Sequence, residues 1–101
     1  MSPSQQDLTA LRAALRRELP DLRERYHVES LSLFGSRVRG GARPDSDLDV
    51  LVEYRRTPTL FQIGALEEHL SRLLGVNVDL VMKDSLKPRV GARILEEAVA
   101  V

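Results

Sequence analysis

The chain has 101 residues, 43% of them apolar and 30% charged, with a formal net charge of zero and no cysteine. A chain this long suits one domain around one core, and its composition lies away from the low-hydrophobicity, high-charge corner where chains stay disordered. The zero net charge argues against a coat for nucleic acid, which needs a strongly basic face, and the lack of cysteine excludes disulfides, thiolate metal sites and cysteine nucleophiles.

The first element is predicted to be a helix, because Leu8, Leu11, Leu15, Leu19 and Leu22 recur at spacings of three and four along one stripe. Ser4 and Asp7 offer an approximate capping box before it. Pro20 disfavours helical geometry at Leu19, which predicts a break or kink there and a short restart from Asp21 towards Tyr26. Val28 to Phe34 reads as a strand ended by Gly35. A single helical turn follows from Arg37 to Gly41, with Ser36 as its N-cap and the Gly40-Gly41 pair as its stop.

Leu48 to Tyr54 alternates, with Leu48, Val50, Val52 and Tyr54 on one face and Asp47, Asp49, Leu51 and Glu53 on the other, the pattern of a central strand. Thr57 and Pro58 open a helix with the stripe Leu60, Ile63, Leu66, Leu70 and Leu73, and Gly75 closes it. Val76 to Met82 reads as a third strand. Ser85 is expected to cap a last helix carrying Leu86, Val90, Ile94, Leu95 and Ala98, with Pro88 in its first turn. The fold class is therefore α/β (α+β): a small mixed sheet of three or more strands flanked by helices, in the order αβαβαβα over a single domain, residues 1–101. No apolar run approaches the roughly 18 residues that span a bilayer, and Met1 to Ala10 is polar where a leader would be apolar. The expectation is a mature, soluble chain.

Three features carry chemistry. Gly35-Ser36-Arg37-Val38-Arg39-Gly40 lies where a strand gives way to a short helix, a place where glycine admits close backbone approach and free amides suit a phosphate. Taken alone, the hexapeptide reads more readily as a plain strand-to-helix turn. In Ser46-Asp47-Leu48-Asp49, carboxylates at i and i+2 share a strand face and can reach one magnesium ion, which takes one or two carboxylates with substrate phosphates as its usual protein site. The alternative is a solvated acidic strand edge. Asp79 stands inside Val76-Asn77-Val78-Asp79-Leu80-Val81-Met82, where the rival reading is a salt bridge to one of the many arginines. If that strand lies beside Leu48 to Tyr54, three carboxylates converge on the outline of a two-metal site. Arg37 is the arginine favoured for the phosphates over Arg39 and Arg43, while His27 and His69 read as ordinary surface residues.

A Gly-Ser turn, a paired acid on the next strand and a lone acid on the one after resemble the nucleotidyltransferase superfamily of DNA polymerase β. The stretch from Leu33 to Glu53, continued through Val78-Asp79-Leu80-Val81 and Leu86-Lys87-Pro88, is similar to the MNT proteins, its short stand-alone members. It differs at Val38 and Gly41, where alanine and glutamate are frequent. The resemblance implies that Gly35 and Ser36 hold the triphosphate of ATP and that Asp47 and Asp49 bind magnesium. Asp79 would complete a catalytic site of two ions and help deprotonate the acceptor hydroxyl. It also implies an antitoxin for a HEPN-type toxin, a tyrosine of which some members adenylylate; together with the composition, the expectation is a cytoplasmic chain, hetero-oligomeric with that toxin, with no membrane and no direct nucleic-acid contact. Two other readings stay open: an antitoxin that neutralises its partner by binding alone, and transfer to a small molecule such as an aminoglycoside. The brevity of the chain leaves no acceptor pocket, which favours an acceptor carried on another protein.

Overall fold

The computed structural model describes residues 8–40 and 46–101. The elements are α1 (Leu8–Arg25), β1 (Val28–Phe34), α2 (Ser36–Arg39), β2 (Leu48–Tyr54), α3 (Leu60–Leu74), β3 (Val78–Met82), a 3₁₀ turn (Lys83–Ser85), α4 (Pro88–Glu97) and β4 (Val99–Ala100). The strands form one mixed sheet in the order β3-β2-β1-β4. β1 is antiparallel to both β2 and β4, whereas β3 is parallel to β2. A parallel pair needs a crossover, and α3 supplies it.

Alternation along the strands sorts the two faces of the sheet. Leu48, Val50 and Val52 are buried and join Leu11, Leu15 and Leu22 of α1 and Leu66, Leu70 and Leu74 of α3 in one apolar cluster. Asp49, Leu51 and Glu53 therefore point to the opposite face. On β1, Val28, Leu31 and Leu33 all reach that cluster despite their odd spacing, because the ladder slips between Val28 and Ser30 and the extra residue, Glu29, resets the alternation.

Several local expectations are corrected. α1 does not break at Pro20; the helix runs through it to Arg25. Pro20 and Arg16, whose carbonyl loses its helical partner, are both exposed to solvent, while burial of Leu22 holds the last turn to the core. The Ser4–Asp7 capping box, Gly41 and Arg43 lie outside the described residues. The cap of α2 is Gly35, not Ser36, and no side chain caps that turn. α3 begins two residues later than expected, with Thr59 and Gln62 in a reciprocal capping box. Its buried row is Leu66, Leu70 and Leu74; Leu60 is 88% exposed and Leu73 37%, so both leave the stripe. Gly75 closes α3 in the left-handed conformation, φ 69°.

Ser85 does not cap α4, because its hydroxyl donates to the Met82 carbonyl within the 3₁₀ turn and Lys87 takes the cap position before Pro88. Leu86 stays outside the helix and packs against Gly91, where a Cβ would stand 3.0 Å from Leu86 Cβ. Ala98, expected within the last helix, is its C-cap, Val99 pairs with Leu33 in β4, and Val101 N–H donates to Leu31 O. His69 is not an ordinary surface residue: it stacks on Tyr26 at 5.3 Å, and its Nε2 is buried without a partner among the described residues.

Side chains from the helices close both margins of the sheet. On the β3 side, Val78 N–H donates to Ser71 Oγ and Leu80 N–H to Glu67 Oε2. On the other side, Arg12 Nε donates to the Ala100 carbonyl and Arg23 Nε to that of Glu29. Among the described residues, no helix is long and apolar enough to cross a membrane.

Candidate nucleotide-transfer site

The site forms on the face of the sheet away from the apolar cluster, where β1 ends at Gly35. Gly35 has φ 88° and ψ −162°, a conformation essentially reserved for glycine, and its N–H and Cα lie against two different carboxylates. One is Asp49, opposite Phe34 in the β1–β2 register. A Cβ at Gly35 would overlap Asp49 Oδ2 and stand 2.9 Å from its Cγ, so this turn admits no side chain. The other is Glu97, the last residue of α4, whose Oε1 accepts the Gly35 N–H at 2.9 Å.

Asp49 and Asp79 are register partners in the parallel β2–β3 ladder, so they project to the same face from neighbouring strands. Asp79 is exposed, and no arginine among the described residues pairs with it. It stands between Val78 and Leu80, whose amides Ser71 and Glu67 of α3 hold, so the crossover helix fixes the strand that carries it. Asp47 precedes β2 by one residue and accepts a hydrogen bond from Asn77 Nδ2 at 3.0 Å. Burial, followed by the negative charges of Asp79 and Asp47, pushes the Asp49 carboxyl above its usual range. A cation placed there would relieve that cost.

Arg37 Nε and Nη2 donate to the Ser46 carbonyl at 2.9 and 2.7 Å, tying the turn to the approach of β2. Ser36 is the first residue of α2 and is half-buried. Sequence reasoning missed Glu97, which also pairs with Arg39 at 3.0 Å and, through that guanidinium and above all the Gly35 amide, is held below the usual carboxylate range. No spacing rule links positions 35 and 97. The only signal was an acid at the end of a helix, where the macrodipole disfavours it unless it has a partner.

Asp47, Asp49 and Asp79 supply the hard oxygens that magnesium prefers. Among the described residues no three acidic or histidine side chains are gathered into a cage, but a site of one or two carboxylates completed by substrate phosphates needs none. Paired acids on parallel strands facing a bare glycine turn are an arrangement that can take a polyphosphate beside a divalent ion.

The comparisons agree with that class. Residues 15–101 match the nucleotidyltransferase domain family, and the chain belongs to it: it is a nucleotidyltransferase. It is similar to the protein adenylyltransferase MntA of Thermococcus cleftensis, 49% identical over 81 residues, covering 80% of this chain and 82% of that one. A candidate protein adenylyltransferase of Methanocaldococcus jannaschii is 38% identical over 95 residues, covering 93% and 97% of the two chains. A solved structure described as a candidate minimal nucleotidyltransferase superposes with a TM-score of 0.80 at 41% identity, over 97% of this chain and 99% of the other. The fold is shared with the MNT antitoxin seen in complex with a tri-AMPylated HEPN toxin of Shewanella oneidensis, at TM-score 0.65 and 20% identity, over 89% of this chain and 70% of that one.

Proposed function

We propose that the chain is a single minimal nucleotidyltransferase domain, residues 1–101, that moves AMP from ATP to a tyrosine of a HEPN-type ribonuclease toxin and so serves as its antitoxin in the cytoplasm. The observation that carries this reading is the in-register pair Asp49 and Asp79 beside the Gly35 turn. The similarity to a protein adenylyltransferase at 49% identity and the fold shared with an MNT antitoxin bound to an AMPylated HEPN toxin support the acceptor and the partner.

In the reaction, the tyrosine oxygen attacks the α-phosphorus of ATP, the new O–P bond replaces the bond to the β-phosphate oxygen, and pyrophosphate leaves. Asp47 and Asp49, with Asp79 beside them, would hold magnesium, which would supply positive charge for the triphosphate and the developing negative charge. Asp79, exposed at the edge of the face, takes the hydroxyl proton. Gly35 lets the backbone approach the phosphates without a side chain between, and Ser36 adds a hydroxyl. Most of the rate comes from charge and positioning.

The test mixes the chain with α-labelled ATP, magnesium and a HEPN-type toxin. Label on the toxin and loss of its ribonuclease activity are expected, and mapping should place the label on tyrosine. Asp47→Asn should lower transfer by about 10² or more while leaving the melting temperature unchanged, since Asp47 is exposed. Silencing of the toxin without any label would replace this reading with neutralisation by binding alone.

A further inference from the structure

Glu97 occupies the phosphate turn with an anion of the chain's own. Its Oε1 lies 2.9 Å from Gly35 N and 3.0 Å from Arg39 Nη1, and its Oε2 lies 3.2 Å from the same Arg39 nitrogen. Two oxygens on one centre, bridging a backbone amide and a guanidinium, make the contacts that two oxygens of a phosphate group would make. Beside them, between α2 and α4, opens a cleft of about 200 Å³ lined by Arg39, Val90, Arg93, Ile94 and Glu97. Arg37 is committed elsewhere, to the Ser46 carbonyl.

We propose that Arg39, rather than Arg37, is the guanidinium that receives the polyphosphate of the nucleotide, and that Glu97 holds its place through a contact that the triphosphate must displace. This rests on the nucleotide-transfer reading above and deepens it. As the chain stands, Asp47, Asp49, Asp79 and Glu97 put four negative charges around one turn, and the Arg39 charge that would attract a triphosphate is already neutralised. Displacing Glu97 frees Arg39 and removes one of those charges from the turn. The movement is small: β4 begins two residues further on, at Val99, so the Glu97 side chain can swing into the cleft with β4 still paired to β1. Because the contact is intramolecular, it lowers the apparent affinity for nucleotide by the fraction of chains in which it is closed.

The experiment measures binding of magnesium-ATP to the full chain by calorimetry, for the parent, Glu97→Gln, Glu97→Asp, Arg39→Gln, Arg37→Gln and the double variant Arg39→Gln with Glu97→Gln. Glu97→Gln should bind about three- to tenfold more tightly than the parent, the range of one charge-assisted contact removed from competition. Glu97→Asp, one methylene too short to span both partners, should tighten binding in the same direction and keeps the test open if the glutamine variant folds poorly. Arg39→Gln should weaken binding at least tenfold, and the double variant should lose most of the gain from Glu97→Gln. Hydrogen exchange at the Gly35 amide should speed up in the Glu97 variants without nucleotide.

Parent-like or weaker binding by folded Glu97 variants would overturn the proposal and make Glu97 a structural tether. So would a loss of binding in Arg37→Gln with none in Arg39→Gln. Tight binding without transfer to any protein would sink the adenylylation reading and leave this inference standing, whereas absence of nucleotide binding in every variant would sink both.

Discussion

Gly35 and Asp49 behave as one unit, since the turn is bare because the carboxylate fills the space a Cβ would take. Gly35→Ala should therefore cost about 1–3 kcal/mol, from the forbidden backbone region alone, and a melting curve should fall by about 4–8 °C per kcal/mol for a domain of this size. Asp49 carries a cost of its own. Its pKa is raised by burial and by its acidic neighbours, so the folded chain binds that proton more tightly than the unfolded chain. The contribution is favourable below the ordinary carboxylate range and is lost as pH rises through the raised value. In a chelating buffer at neutral pH, Asp49→Asn should melt at a higher temperature than the parent, and near pH about 3 the advantage should vanish. Transfer should nevertheless fall by about 10² or more, the trade of stability for activity common in charged sites. An equal or lower melting temperature at neutral pH would mean that Asp49 is already neutralised by a partner.

At the level of elements, most of the fold was readable because periodicity reports burial. The rows Leu11, Leu15, Leu22 and Leu48, Val50, Val52 lie where their spacing placed them. The failures share one cause: a local preference overruled by contacts distant in sequence. Pro20 argues for a break, yet Leu22 is fully buried and draws the chain onward as helix. Val99 follows a helical stripe, yet Leu33 across the sheet makes it a strand. The acids of the site were legible because they lie near one another in sequence or sit conspicuously in an apolar strand; Glu97 was not, because only folding brings it to Gly35. Pro20 also gives a test. Replacing it with alanine restores the helical amide, worth about 3 kcal/mol in a helix interior. Loss of proline's restraint on the unfolded chain returns about 0.4–1 kcal/mol. Pro20→Ala should thus stabilise the chain by about 2 kcal/mol in urea unfolding, and no gain would imply that α1 relieves the proline by some other bond.

For the molecule as a whole, the zero net charge leaves little mutual repulsion between copies near neutral pH, and Leu60 and Phe61, 88% and 86% exposed at the start of α3, give them something to adhere by. Solubility of the isolated chain should pass through a minimum near pH about 7. Light scattering across a pH series should show it, and Phe61→Ser should make the minimum shallower without moving the melting temperature. What gathers at that minimum should be disordered clumps that disperse on moving the pH. A sheet recruits strands from another molecule through a free row of amides and carbonyls, and here Ser71 and Glu67 stopper one rim while Arg12 and Arg23 stopper the other. The helices that build the core also bar the chain from growing into a fibril.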